Sequence, residues 1–437
     1  MQSIRADKLI AALLFAASVL HASPAAALQG LEQFVAGARR QNPDALEASA
    51  NLSQQQAEAD STLGAVLPGV SARGSYTRNQ YSSSISAGLP QPVTLVPTDQ
   101  WDGSATLKVP LVDLAGFRKV SAARTTAEAG ARQLDATRLQ VEGQVAQDYY
   151  QVVANLALVA ASETALEVSR EGLRLAQARY QAGSAAALEV DRARADVEQQ
   201  FQQLAAARLL VQLGARALQS ASGVEPDVSA VVPLADDLHP EAELHAFEAG
   251  LPGLPAVAAA SANTRAAELQ AAAQRLALAP SIAGTFTEHG SNAPGFSGHD
   301  WSYQAALTAT WTFDLTNLAG IRAQDAAADA ARAREIRAVL AAGDAIHREW
   351  STVVADIARS RSARVGREAA VHAAVQARDR YRAGTSTQLD LLQAQRDAFS
   401  AEVNRIQADA ELVNARAQLR LSSGLSLLTD DGTKGTP

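Results

Sequence analysis

The chain has 437 residues, a formal charge of −8, 5% aromatic residues and no cysteine. No disulfide framework and no lipid-bearing cysteine is available, and an acidic balance without any Lys/Arg cluster excludes a nucleic-acid binder, whose footprint is a basic patch. The Ala-rich, aromatic-poor composition suits close helix–helix packing better than a globular core of large side chains.

Residues 1–27 have the layout of a secretory signal: Arg5 and Lys8, an apolar run from Leu9 to Leu20, and the small residues Ala25-Ala26-Ala27. The apolar run is too short to span a bilayer, and no later stretch of some 20 apolar residues is expected to do so. Any membrane attachment of the exported chain would fall to strands.

A first structural repeat is expected over 28–225. Leu31 to Arg40 reads as a short amphipathic helix that stops near Asn42-Pro43, because the residue before proline is pushed out of helical geometry. Asp44 continues helically to about Gly64. The period then changes to two, with Val70, Ala72, Gly74 and Tyr76 opposite Ser71, Arg73, Ser75 and Thr77. Strands are predicted at 69–79 and 103–111, with a Ser-, Pro- and Gly-rich loop over 81–100 between them. The stretch from Gly116 to residue 180 would be a helix of roughly 95 Å at the standard rise, turning at a tip over 180–185.

Residues 226–242, with Pro226, Pro233 and Pro240, read as a linker. A second repeat follows over 243–425, with strands at 281–288 and 303–313, a Gly-rich loop over 289–300, and a tip at 381–386. The tail 426–437 is expected to be disordered.

The two repeats are visible in the letters. Arg179-Tyr180-Gln181-Ala182-Gly183-Ser184 returns as Arg380-Tyr381-Arg382-Ala383-Gly384-Thr385, an offset of 201 (381 − 180). Leu114-Ala115-Gly116-Phe117-Arg118 returns as Leu318-Ala319-Gly320-Ile321-Arg322, and Ser222-Gly223 as Ser423-Gly424. Pro43 pairs with Pro255 and Pro68 with Pro280. Repeated landmarks in one order mean a duplicated architecture. Gly183 and Gly384 predict left-handed helix ends, Ser184 and Thr385 predict caps for the helices that follow, and Thr385 with Gln388 predicts a capping box.

In the last strand Tyr303, Ala305, Leu307, Ala309, Trp311 and Phe313 alternate with Gln304, Ala306, Thr308, Thr310 and Thr312. This is the alternation of a membrane barrel, with Tyr303, Leu307, Trp311 and Phe313 toward lipid and the aromatics near the interfaces. An ordinary half-buried hairpin has the same pattern. Export and the small strand number favour the barrel. Four strands cannot close one, open edges are not tolerated in lipid, and three chains would supply twelve. The helices carry apolar positions three and four apart, such as Val141, Val145, Tyr149, Val152 and Leu156, as coiled-coil seams do.

No catalytic, cofactor-binding or metal-ligating pattern emerges: the seven histidines are dispersed, and no phosphate loop or nucleophile elbow occurs. The chain is not expected to be an enzyme or to carry a cofactor. His289, His299 and Asp300 share a loop and read as solvated.

Asn42-Pro43, Leu67-Pro68, the doubled Leu-Ala-Gly-x-Arg and the doubled Tyr-x-x-Gly tip together resemble the TolC-like outer-membrane efflux factors over almost the whole mature chain. The resemblance implies a mainly α fold with a small membrane β part. Duplicated helical hairpins would form an α-barrel tunnel, and four strands per chain would join a twelve-stranded trimeric barrel. It implies a homotrimer in outer-membrane lipid that serves as the passive exit duct of a tripartite pump. The implied partners are a periplasmic adaptor and an inner-membrane pump of the RND or ABC type. Type I protein secretion is an alternative use of the same duct, and a periplasmic coiled-coil scaffold or adaptor without a barrel is an alternative of another class. The resemblance also implies a periplasmic gate: Tyr381 and Glu189 as a link between hairpins, with Asp191 beside them, and Asp390 as an acidic ring. Ser386 and Gln393 depart from the family pattern, standing where a locking arginine and a second acidic ring would be. Gly183, Ser184, Gly384 and Thr385 fall where adaptor hairpins dock.

Overall fold

A computed structural model describes residues 28–86, 93–229, 233–234, 236–293 and 298–428. The expected signal and the tail beyond Leu428 lie outside them, as does part of the expected linker.

Each repeat opens with a short helix and a 22-residue helix, then strands, then a long helical hairpin. In the first repeat these are α1 (Leu31–Gln41), α2 (Pro43–Gly64), β1 (Gly69–Arg78), β2 (Ser83–Ile85), β3 (Val93–Val96), β4 (Asp99–Val112), α3 (Leu114–Gln181) and α4 (Ala187–Ser222). In the second they are α5 (Leu244–Glu248), a 3-10 turn (Leu251–Gly253), α6 (Pro255–Leu276), β5 (Ser281–Ser291), β6 (Trp301–Thr310), α7 (Leu315–Arg382) and α8 (Gln388–Ser422).

Local chemistry sets the boundaries. Asn42 caps α2 by accepting from the Asp44 amide at 2.9 Å, with Pro43 in the first turn, where its missing N–H costs nothing. Asp113 Oδ1 accepts from the Gly116 amide at 2.7 Å, and Asp314 Oδ1 from the Asn317 amide at 2.7 Å. These two aspartates start the long helices α3 and α7. Gly116 has a steric reason: a β-carbon there would lie 2.4 Å from Asp113 Oδ2 and 2.7 Å from Val66 Cγ1.

The main sheet is antiparallel in the order β1-β4-β5-β6. Register places Val70 opposite Leu107, Leu107 opposite Phe286, and Phe286 opposite Ala305. Directly paired residues share a face. One face therefore carries Ala72, Ala105, Leu107, Val109, Phe286, Tyr303 and Leu307, and the other Arg73, Ser104, Thr106, Lys108, Thr285, Thr287 and Thr308. On the apolar face the Phe286 and Tyr303 rings stack at 5.9 Å. On the polar face the Thr106 and Thr287 hydroxyls share a hydrogen bond of 3.1 Å. Both outer strands, β1 and β6, have one side unpaired among the described residues.

Three sequence expectations need correction here. The region 81–100 is not only a loop, because β2 and β3 pair as a small hairpin within it. The last strand ends at Thr310, so Trp311 and Phe313 lie beyond it. Its partner β5 starts at Ser281, opposite Thr310, and Pro280 before it has no N–H to extend the ladder. Trp311 instead donates its indole N–H to the Leu278 carbonyl at 3.0 Å. Finally, one stretch of α3 is long and apolar enough to cross a bilayer, against the expectation that none exists. It lies inside a 68-residue helix, and 44% of it is buried within the protein.

The chain divides into two compact units. One comprises residues up to Ala38, Gln144–Pro240 and Val353–Arg416; the other comprises Arg39–Gly143, Glu241–Thr352 and residues from Ala417. One core cluster of the first packs Ala154, Ile406 and Ala410 against Ala157, Ala161 and Leu234. Asp409 is buried there and bonded to Ser360, Arg364 and Arg405. The core of the second centres on Leu254, Val257 and Ile346.

Glu142, fully buried in the second unit, ties an early helix to the end of the chain. Its Oε1 accepts from Arg39 Nε at 2.8 Å and Nη2 at 2.5 Å, and its Oε2 accepts from the Ser426 hydroxyl at 2.9 Å and the Leu427 amide at 3.0 Å. Ser426 and Leu427, at the start of the expected disordered tail, are therefore held in place. Arg39→Met leaves a buried carboxylate without its cation and is expected to cost about 3 kcal/mol. Thermal unfolding of the purified protein reads this as a lowered Tm, and an unchanged Tm would remove Glu142 as an anchor.

Candidate functional site: the paired hairpin tips

Both tips use one backbone device. Gly183 (φ 72°) and Gly384 (φ 77°) occupy the left-handed region. The Ser184 amide donates to the Arg179 carbonyl at 2.9 Å and the Gly183 amide to the Tyr180 carbonyl at 2.9 Å; the Thr385–Arg380 and Gly384–Tyr381 bonds repeat this at 2.9 and 3.1 Å. These are Schellman closures, which satisfy the last carbonyls of a helix. A β-carbon on either glycine would meet nothing within 4 Å, so the glycines answer to conformation rather than to space.

The hydroxyls at the tips do not cap the following helices as the sequence suggests. Ser184 Oγ and Thr385 Oγ1 donate back to the Arg179 and Arg380 carbonyls at 3.0 and 3.1 Å. The capping box lies two residues later than predicted, because α8 begins at Gln388 and its cap is therefore Thr387. Asp390 Oδ2 accepts from the Thr387 amide at 3.0 Å and from its hydroxyl at 2.8 Å, while Thr387 Oγ1 accepts from the Asp390 amide at 3.2 Å. These bonds hold the Asp390 carboxyl below the usual range, the Thr387 hydroxyl contributing most.

Between the tips, the second copy of the repeated tyrosine is the focus. Tyr381 is 1% exposed, whereas its counterpart Tyr180 is 50% exposed. The Tyr381 hydroxyl donates to Glu189 Oε2 at 2.8 Å. Arg179 lies 4.5 Å over the Tyr381 ring and donates Nη1 to the Tyr381 carbonyl at 2.9 Å. Gln388 Nε2 donates to the Glu189 carbonyl at 2.5 Å. Tyr381 and Glu189, named from the sequence, therefore meet, and Arg179 and Gln388 complete the cluster. Arg179 was legible in principle, since it belongs to the duplicated Arg-Tyr-x-x-Gly. Gln388 gave no signal beyond its assignment to a cap that it does not make.

The other predicted residues do not join this cluster. Asp191 is exposed on α4, and Asp390 is exposed at the start of α8. Ser386 keeps its Oγ buried without a hydrogen-bond partner, and Gln393 bonds Asp397 at 2.8 Å. Tyr303 and Leu307 are exposed on the apolar face of β6, and Trp311 and Phe313 are exposed just beyond it. His289 Nε2 lies 3.8 Å from Asp102 Oδ1 on the polar face of the sheet. Asp236, Asp237 and His239 converge in the linker, where Asp236 pairs with Arg416 at 2.9 Å and His239 Nε2 also faces that guanidinium.

A four-stranded sheet with one apolar face, supplied in halves by two repeats that each end in a long helical hairpin, is the protomer architecture of outer-membrane channels. Known structures show the same fold. VceC of Vibrio cholerae matches with a TM-score of 0.76 at 18% identity, covering 91% of this chain and 97% of that one. CmeC of Campylobacter jejuni matches at 0.77 and 16% identity, covering 91% and 86%. The open-state channel MtrE of Neisseria gonorrhoeae matches at 0.73 and 19% identity, covering 92% and 91%.

The model of the outer membrane efflux protein family matches residues 35–224 and 251–425, and the chain belongs to that family. Its place is the outer membrane of a Gram-negative cell, and its family and fold are those of channels rather than enzymes. Among curated proteins, the fusaric acid resistance protein FusA of Burkholderia cepacia is 29% identical over 199 residues. That match covers 45% of this chain and 37% of the relative's length.

Burial and the bond to Glu189 push the Tyr381 hydroxyl up to about 12. A pKa raised in the folded state stabilises the protein fully below the ordinary tyrosine value of about 10, and the contribution is lost as pH rises through about 12. Burial also raises Tyr149, so tyrosinate absorbance during alkaline titration should show Tyr381 as the last of the seven tyrosines to ionise. Tyr381→Phe should abolish that last step; if the step persists, another tyrosine is responsible.

Proposed function

We propose that three copies of this chain form a passive exit duct that receives cargo from a periplasmic adaptor and an inner-membrane pump and releases it outside the cell. The observation that carries the reading is the open sheet. Its apolar face points away from its own polar face, and strands β1 and β6 present unpaired backbone. Unpaired N–H and C=O groups are not tolerated in lipid, and identical copies pairing β1 with β6 would remove them. Three copies give twelve strands, an even number within the observed range. A periplasmic scaffold would have no use for such a sheet.

Exposed apolar positions on the helices support the same assembly. Phe201, Leu209 and Leu213 on α4 lie within one unit, and Ile336 and Leu340 on α7 within the other. All are large and uncovered, as expected of surfaces that further copies bury.

The tips form the periplasmic gate in this reading. The Tyr381–Glu189 bond joins the two hairpins of one protomer, with Arg179 and Gln388 bracing it. Three Asp390 carboxylates ring the opening and attract cations. Asp191 stands nearby as a second negative charge on α4, and Ser386, in place of an arginine, leaves the latch lighter. The two repeats, 28–225 and 243–425, are the domains of this duct. The name of the fusaric acid relative favours small organic molecules over polypeptides as cargo.

Three measurements test this. The protein should fractionate with the outer membrane and run as a trimer that heat dissociates, and a stable water-soluble monomer would end the proposal. In planar bilayers, Asp390→Asn should relieve block by divalent cations. Gly384→Arg meets open space but puts a side chain at φ 77°, a strain of about 1–2 kcal/mol that the fold should carry; a variant that still runs as a heat-labile trimer should restore little drug resistance to a deletion strain if an adaptor docks on the tip. Full resistance would place docking elsewhere.

A further inference from the structure

In the unit that contains the tips, a cavity of about 550 Å³ opens among α3, α4, α7 and α8. Cavities of this size accommodate small organic ligands. Its apolar wall combines small residues, among them Ala157, Ala161 and Ala374, with Val168 and Val371 and with Phe399 of α8 beside them. Small side chains on packed helices leave room that Leu or Ile would fill.

The polar part of the lining is not balanced. Arg367, Arg378, Arg396 and Arg405 face only two lining carboxylates, Asp196 and Glu402. Glu402 is taken by Arg367 at 2.9 Å and Arg405 at 2.7 Å, and Asp196 by Arg396 at 3.4 Å. Neither carboxylate is left for Arg378, and its Nε is buried without a hydrogen-bond partner. Gln200, 5% exposed, likewise has its Oε1 buried without a partner. A buried donor and a buried acceptor left unmatched each carry a desolvation cost, which a ligand supplying the complementary groups would recover.

We propose that this cavity binds a hydrophobic organic carboxylate that also carries a hydrogen-bond donor. The carboxylate meets the guanidinium of Arg378, the donor meets Gln200 Oε1, and the apolar body lies along the wall of Ala, Val and Phe. Arg405 is also held by Asp409 at 2.7 Å, so Arg378 is the lining arginine that no lining carboxylate pairs; it favours an anion over a cation, and Arg presents a planar fork suited to a carboxylate. The assignment rests on the chemistry of the cavity and not on the conduction reading. The site is separate from the Tyr381–Glu189 cluster, although α3, α4, α7 and α8 serve both.

The test uses the full-length protein in lipid nanodiscs, with empty nanodiscs subtracted, and three fluorescent probes. 6-Hydroxy-2-naphthoate carries both groups, 2-naphthoate lacks the hydroxyl, and 2-naphthol lacks the carboxylate. The first should bind saturably and the other two more weakly. Arg378→Gln should weaken both carboxylates about tenfold, the worth of one charge-assisted bond, and leave 2-naphthol unchanged. Gln200→Leu should weaken the two hydroxyl compounds and spare 2-naphthoate. Arg378→Lys, which retains the charge, guards against a folding defect and should bind better than Arg378→Gln. Absence of saturable binding by the wild-type protein would overturn the proposal, as would binding indifferent to Arg378 and Gln200.

Discussion

Backbone groups at the edge of a sheet must find partners where water cannot reach them, and much else in this chain is subordinate to that constraint. The strands are few, alternate cleanly and expose an apolar face, so a single copy cannot satisfy its own ladder in lipid. The polar face, rich in threonine, can tolerate water. In the ordered pairing β1-β4-β5-β6 the two repeats meet at β4 and β5, and duplication delivers both halves of the sheet within one chain.

The helices face a milder problem. Very long helices gain little from propensity alone and depend on side-by-side packing. The sequence provides small residues for close approach and polar anchors at intervals. Asp409 gathers Ser360, Arg364 and Arg405, and Glu142 gathers Arg39, Ser426 and Leu427. A buried carboxylate without such partners would be a large liability, so these clusters specify which helix faces may adjoin.

Much of the architecture was legible because it obeys simple periods. Val70 to Thr77 and Tyr303 to Thr310 alternate, and the doubled Leu-Ala-Gly-x-Arg and Tyr-x-x-Gly mark the same structural events twice. What escaped depended on one-residue geometry. The capping box passed from Thr385 to Thr387 because the Schellman closure consumes the hydroxyl after the glycine. The last strand stops at Thr310 because its partner begins after a proline, a cross-strand fact that the alternation through Phe313 conceals. The Tyr381–Glu189 pair came from family resemblance. Arg179 and Gln388, which surround it, are fixed by three-dimensional neighbours that no spacing announces.

The two tips share their closing hydrogen bonds and nearly the same φ at the glycine, yet only one buries its tyrosine. In a ring of three chains, a visitor probing main-chain contour alone would count six equal knobs. One probing side chains would find an alternation of two kinds, three pinned and three free. If the proposed trimer forms, duplication leaves a pseudo-sixfold rim on a threefold object, and the stoichiometry with which anything binds that rim would reveal whether it reads the contour or the tyrosine.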